Sequence, residues 1–495
     1  MIEEFSARTR AANLESMVRE PLDVLVIGGG IVGAWTALSA SAQGYRTGLV
    51  ERSDFASGTS GKTSRLVHGG LRYLQQLRLG LVREAARERD VLPRLIPDLV
   101  KPITFLIPVY GDRGPKGWQL RIGLWLYDSV SRDKVLPRRR WLTREEALRR
   151  EAGLNPRGLV RAATYADAIT SDARLVLRVV QTAASAGVLV ANYASVEELI
   201  REGGRVRGAR VLDEVSGRRI AVRATVVVNA TGVWVGELQE PTHRLRLRPT
   251  KGAHILVPRR RIGNTGAVTL PTRDGRVVFV LPWGALSLVG TTDTDYRGLR
   301  EEPEPDGTDV EYLLGAANEG FPDARLSAAD VVSAYAGLRP LIDSGERRES
   351  DISRRHDIIV DPDGLVSVAG GKLTTARAMS MDVVHRIGSF LPTRFPRPPP
   401  PSFGPLAEDE HRNEDLRAKV AYAARNEMAI HIEDVLIRRT GMFYEREDQG
   451  AGVADEVADV LGRELEWSKD RRAGELARFR TFVEASGRWR AAPRG

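Results

Sequence analysis

"DVLVIGGGIVGAWTALSASAQGYRTGLVER", residues 23 to 52, decides how this chain is read. Val24 to Ile27 form an apolar run of strand character. Gly28, Gly30 and Gly33 follow at G-x-G-x-x-G spacing. The first glycine permits a tight turn, and the second lets a pyrophosphate approach the backbone. The third lets the next helix lie close to the strand. That helix, "IVGAWTALSASAQGY", is rich in small residues and ends near Gly44. Its N-terminal amides and dipole favour phosphate charge. The second strand, "RTGLVE", ends in Glu51, where a ribose-binding carboxylate belongs, about 20 residues on. A lone glycine motif is weak evidence, and a glycine-rich turn in an ordinary α/β domain is the plain alternative. Strand, glycines, helix, strand and acid in this order point to a dinucleotide site.

The chain has 495 residues, enough for two or three domains with a large core. It has no cysteine, which excludes disulfides, cysteine-ligated iron–sulfur clusters and a cysteinyl flavin link. No apolar run approaches the roughly 20 residues of a spanning helix. The opening "MIEEFSARTRAANLESMVRE" lacks a signal-peptide apolar region, so export is not expected. The formal charge of +9 suits an anionic substrate, an anionic lipid surface, or neither. No nucleic-acid motif or metal-ligand spacing is present.

The clearest boundary is "LPTRFPRPPPPSFGPL", residues 391–406, whose prolines predict a stiff extended linker. Beyond it, residues 407–495 show apolar residues at helical spacing and predict a small all-helical domain. Before it, strands and helices mix, and residues 76–150 read as more helical.

"VVVNATGVWV", residues 226–235, is a second glycine turn after a buried strand. Enzymes that pair FAD with NAD carry a second G-x-G-x-x-G, and none is found here. The "NATG" turn instead looks like the second flavin contact of single-cofactor flavoenzymes. A third signal is "VSVAGGKLTTARAM", residues 366–379, a strand ending at Gly370-Gly371 with a helix starting near Thr374. Such a helix N-terminus suits negative charge on a reduced flavin ring.

These motifs make the chain resemble the FAD-dependent glycerol-3-phosphate dehydrogenases of the bacterial aerobic, quinone-linked type, within the D-amino-acid-oxidase-like flavoproteins. The resemblance is carried by "GGGIVGAWTAL", "SGKTSRLVHGGLRYL" (60–74), "YADAITSDARLVL" (165–177), "VVNATGVWV", "RPTKGAHILVP" (248–258), "GTTDTDY" (290–296), "SAYAGLRPL" (333–341), "GGKLTTARAM" and "DVLIRRTG" (434–441). It spans roughly residues 20–475. "SGKTSR" departs from a run of serines before a lysine.

The resemblance implies an α/β fold with an α+β cap: an FAD-binding Rossmann-like domain, an interleaved substrate-binding cap and the C-terminal helices. The expected boundaries are 20–75, 155–240 and 335–390 for the FAD-binding domain and 76–154 and 241–334 for the cap. Implied FAD contacts are Gly28, Gly30, Gly33, Glu51, Arg52, Thr59, Ser60, Ser64, His68, Gly69, Ala230, Thr231, Gly232, Gly371, Lys372, Leu373 and Thr374. Arg72, Arg339, Arg354 and Lys372 are implied around a substrate phosphate, with Arg355 an alternative to Arg354. A dianion favours planar guanidinium forks, although most basic residues of any chain are solvated surface.

Oxidising a secondary alcohol needs a base for the hydroxyl proton, and a neutral histidine suits it. Of the seven histidines, His254 is the first candidate and His68 the second, with a structural hydrogen bond the plain alternative for each. His254, Arg339 and Lys372 form the expected catalytic set. A rate that falls on acidification through about 6.5 is expected of such a base.

With no cysteine cluster and no NAD fold, electrons leave to a quinone, another protein or oxygen. The resemblance favours a membrane quinone, glycerol 3-phosphate as substrate, and a cytoplasmic protein peripheral on the inner membrane. A homodimer is compatible with it. Aromatic and basic residues mix in "GWQLRIGLWLYDSVSRDKVLPRRRWLTREEALRR", residues 117–150, which reads either as a lipid-facing element or as a helical cap with core tryptophans. The alternatives are an oxygen-using oxidase, an amine or amino-acid oxidase, and a non-catalytic flavin-binding regulator. The cations argue against the amine reading, and the cations with His254 argue against the regulator.

Overall fold

The computed structural model describes every residue except 1–3, 71–78, 113, 115–116, 131–135, 242–244, 302, 344–355, 394–402, 404–414 and 491–495. The predicted linker lies largely outside the described residues.

Two sheets organise the chain. The first orders its strands Asp357–Val360, Val366–Ala369, Arg219–Asn229, Leu22–Ile27, Thr47–Val50 and Leu189–Ala191. Leu22–Ile27 pairs in parallel with strands on both sides. Its side chains alternate between two buried cores, Val24 and Val26 in one, Leu25 and Ile27 in the other. An uninterrupted apolar run is what a parallel strand covered on both faces requires. Helix Ile31–Ala42 follows the glycine turn, and its Ala34, Ala37 and Ala40 are buried in the first of those cores.

Among the described residues the second sheet holds ten strands. At one end Thr250–Pro258 lies antiparallel between Leu286–Gly290 and Ser333–Arg339. At the other, Lys101–Tyr110 and Leu66–Val67 flank Leu159–Ile169. The chain therefore changes layer several times. Ser333–Arg339 is hydrogen-bonded into this second sheet, and the chain joins the first sheet again at Asp357.

The region expected to be helical contains helices Leu79–Leu95, Gly117–Val130 and Arg144–Arg150. It also contains the ten-residue strand Lys101–Tyr110. Pro102 and Pro108 disguise that strand, yet proline is tolerated where its missing N–H takes no ladder bond.

The described residues after 415 fold as helices, among them Leu416–Asn426, Ala454–Glu464 and Lys469–Ser486. Val420, Leu436, Val457, Leu461 and Phe479 share one apolar core with Leu256 and Tyr335 of the second sheet. The helical unit is thus packed against the sheet that carries His254.

Candidate active site

The cofactor cradle is built by close backbone approach. Gly28 has φ +110°, and a Cβ there would lie 2.6 Å from Ala230 O. A Cβ on Gly33 would lie 1.9 Å from Gly28 O. Both positions must therefore keep glycine for the first turn, the helix and the Ala230-Thr231-Gly232 turn to meet. Ala230 N–H donates to Ile27 O at 2.9 Å, and Thr231 Oγ1 donates to Asn229 Oδ1 at 2.7 Å. Gly232 opens the short helix that carries Trp234. Gly30 caps helix Ile31–Ala42, and a Cβ on it would lie 3.0 Å from Ser60 Oγ.

Ser60 Oγ in turn accepts the Ile31 N–H at 3.0 Å. Glu51 Oε2 accepts the Gly29 N–H at 2.6 Å, and Oε1 accepts the Ser53 N–H at 2.9 Å. Burial raises the Glu51 pKa, and those two N–H donors pull it back. The Arg52 guanidinium lies 4.1 Å above the Trp234 ring.

The loop between residues 59 and 69 stitches distant motifs together. Thr59 Oγ1 donates to Leu338 O at 2.6 Å, beside Arg339. Ser64 Oγ lies 2.8 Å from His254 Nε2. The His68 N–H donates to Thr374 Oγ1 at 3.1 Å. The candidate residues of four separate stretches thus converge. Gly371 and Lys372 lead into the turn Leu373–Thr375, which opens helix Ala376–Gly388.

His254 and Arg339 are set by strand register. His254 stands opposite Gly290 on one neighbour and Tyr335 on the other. A Cβ on Gly290 would lie 2.2 Å from His254 Cδ2, so only glycine leaves room for the ring. On the opposite side the imidazole stacks on Tyr335, with centroids 4.8 Å apart. Its Nδ1 is buried and has no hydrogen-bond partner among the described residues. Burial, then the Arg339 charge, lowers the His254 pKa to about 3. The expected titration near 6.5 is therefore corrected: this imidazole is neutral throughout the physiological range.

Arg339 is held as a fixed fork. Its Nη1 donates to Asp293 Oδ1 at 2.9 Å, and its Nη2 donates to Thr291 Oγ1 and Thr292 O at 3.1 Å each. Arg72, Arg354 and Arg355 lie outside the described residues.

The FAD dependent oxidoreductase family matches residues 23–386. The C-terminal domain of alpha-glycerophosphate oxidase matches residues 400–472. The glycerol-3-phosphate dehydrogenase of Mycobacterium leprae (strain TN) is 37% identical over 96% of this chain and 90% of its own length. The chain belongs to the FAD-dependent glycerol-3-phosphate dehydrogenase family.

An alpha-glycerophosphate oxidase of Streptococcus pyogenes serotype M1 is 40% identical, over 68% of this chain and 57% of its own. The glycerol-3-phosphate dehydrogenase of Bacillus halodurans, solved with FAD, superposes with a TM-score of 0.78 at 28% identity. That match covers 97% of this chain and 98% of the other.

The cradle fits the family's cofactor: two backbone turns meet only through glycine, and a helix N-terminus and a half-buried carboxylate face the same turn. The dehydrogenase sequence also conceals partners that only the fold brings in. Tyr335 OH donates to Thr63 O at 2.7 Å, and Asp172 accepts both the Thr63 N–H and its hydroxyl. Tyr127 OH accepts the Gly69 N–H at 2.8 Å and donates to Asp167 Oδ1 at 2.6 Å. Burial raises the Asp167 pKa to about 6, partly offset by Arg89. Asp293 had a local signal, its place in "GTTDTDY" beside the "GLRPL" arginine. Tyr127 and Arg89 had none.

Proposed function

We propose that this protein oxidises sn-glycerol 3-phosphate to dihydroxyacetone phosphate and passes the electrons to a membrane quinone. The observation that carries the substrate reading is the placement of His254 and Arg339 on adjacent strands, four register positions apart. A fixed guanidinium fork suits a phosphate dianion. A neutral, buried imidazole suits a hydroxyl proton. Bound FAD supplies the acceptor for the hydride.

Ser64 Oγ can accept from His254 Nε2–H or donate to an unprotonated Nε2. When His254 Nε2–H donates to Ser64 Oγ, Nδ1 keeps its lone pair and has no partner among the described residues, and a substrate hydroxyl would reach it on local opening of the packing around the ring. Burial, and after it the Arg339 charge, holds the His254 pKa down in the free protein. Lys372 adds a second cation in this reading, with Arg72 and Arg354.

The quinone reading is supported by one helix. Trp118, Ile122 and Trp125 of Gly117–Val130 share a face at helical spacing and are 63%, 51% and 56% exposed. Arg121 and Arg138 are exposed nearby. Exposed tryptophans beside arginines fit an anionic lipid surface, where a quinone dissolves. Among the described residues no helix is long and apolar enough to cross a membrane, so contact of this kind is peripheral.

The Trp118→Ser/Trp125→Ser double variant should sediment less with phosphatidylglycerol vesicles and keep its turnover with a soluble acceptor. Unchanged sedimentation would remove this helix from the surface. The oxidase relative keeps oxygen as the second reading, and turnover with oxygen alone separates the two.

A further inference from the structure

We infer that the C-terminal helical unit sets the affinity for FAD, through Arg438 and Arg439 acting as positioning residues on Asp54. This rests on the FAD assignment and not on the substrate.

Asp54 follows Glu51 by one short turn and is fully buried. Its Oδ2 accepts Arg438 Nε at 2.5 Å and Arg439 Nη1 at 2.6 Å. Its Oδ1 accepts Arg439 Nη2 at 2.9 Å and Asn192 Nδ2 at 3.1 Å. The two arginines lie on Asp434–Arg439, wound as a wide π-turn in which the Thr440 N–H donates to Val435 O at 2.9 Å.

That turn is itself locked. Asp434 Oδ1 accepts Arg438 Nη2 and the Tyr193 hydroxyl at 2.5 Å each, and Oδ2 accepts the Ile430 and His431 N–H groups. Arg439 Nη2 also donates to Glu427 O at 2.8 Å.

The other side of Asp54 leads to the cofactor turn. Phe55 Cδ1 lies 2.8 Å from where a Gly29 Cβ would sit. The Ala56 N–H donates to Gly29 O at 3.2 Å, and Glu51 holds the Gly29 N–H. The segment from Glu51 to Ala56 thus touches the glycine turn at three points and the C-terminal arginines at one carboxylate. A buried carboxylate that loses a guanidinium partner draws water or moves. Movement of Asp54 carries Phe55 and Glu51 with it, and with them the turn that receives the pyrophosphate.

The test measures cofactor binding directly. Arg439→Gln and Asp54→Asn are prepared as apoprotein, and FAD is titrated by quenching of its fluorescence. The dissociation constant should rise about 30-fold or more in each, the low end of what truncating one partner of a buried pair costs. At saturating FAD the KM for glycerol 3-phosphate should return to the wild-type value.

Glu475→Gln is the control. Glu475 holds His431 Nδ1 at 2.8 Å inside the same unit and does not touch Asp54. It should lower Tm and leave the FAD constant unchanged. Should Arg439→Gln fail to fold, Tyr193→Phe removes one bond from the locked turn and should weaken FAD in the same direction. Wild-type FAD affinity in Asp54→Asn, or an equal loss in Glu475→Gln, would overturn the inference.

Discussion

Gly252→Ala tests the role of Arg339 without touching Arg339. Gly252 pairs with Gly337, two residues from His254 on the same strand. A Cβ at Gly252 would lie 2.4 Å from Arg339 Nη2 and 2.7 Å from Thr291 Oγ1. The tightest common contact is 3.4 Å, so the guanidinium must retreat by about 1 Å. That shift breaks the 3.1 Å bonds of Nη2 to Thr291 and Thr292 and turns the fork away from its present aim. A charge-assisted hydrogen bond is worth about 1.5 to 3 kcal/mol, so KM for glycerol 3-phosphate should rise roughly 10- to 150-fold. FAD content should not change, because the glycine turns of the cradle follow strands of the other sheet. Steady-state kinetics with the reconstituted enzyme and a Tm measurement decide it. A KM within about twofold of wild type, at unchanged Tm, would show that the fork does not hold the phosphate.

His254→Gln should slow anaerobic flavin reduction by roughly 10²- to 10⁴-fold while KM changes far less, measured by stopped flow. In the wild type, reduction should not fall off through pH 6.5, because His254 is neutral down to about 3; an acid limb near 6.5 would refute the buried environment described. Its contribution to stability is complete above about 6.5, the unfolded value, and is lost as pH falls toward 3. The Tm difference between wild type and His254→Gln should therefore shift against the wild type across that window. Acid precipitation should release the flavin intact, since the chain has no cysteine for a thioether; yellow pellet would contradict this.

The dinucleotide turn was legible because its chemistry is local: Gly28, Gly33 and the helix after them sit within a dozen residues, and their spacing is itself the steric requirement. His254 and Arg339 were legible through their motifs, "KGAHILVP" and "GLRPL", but not their environment. The His254 pKa depends on burial between Gly290 and Tyr335 and on the Arg339 charge, none of which is near it in sequence. Lys101–Tyr110 was hidden by its two prolines and by a burial that runs from exposed to fully buried along the strand rather than alternating. The Asp54 cluster was invisible, since a carboxylate near the first strand and two arginines near the C-terminus share no local pattern. The same holds for Tyr127, whose hydroxyl reaches Gly69 from the opposite face of a helix notable in sequence only for its tryptophans.

The most direct measurement is anaerobic mixing of the FAD-loaded protein with sn-glycerol 3-phosphate, followed by a soluble quinone analogue or by oxygen. The account predicts loss of the oxidised-flavin absorbance on adding substrate, dihydroxyacetone phosphate as product, and return of the absorbance faster with the quinone than with air-saturated buffer. No absorbance change with glycerol 3-phosphate would contradict the substrate assignment, and return with oxygen as fast as with the quinone would make the protein an oxidase.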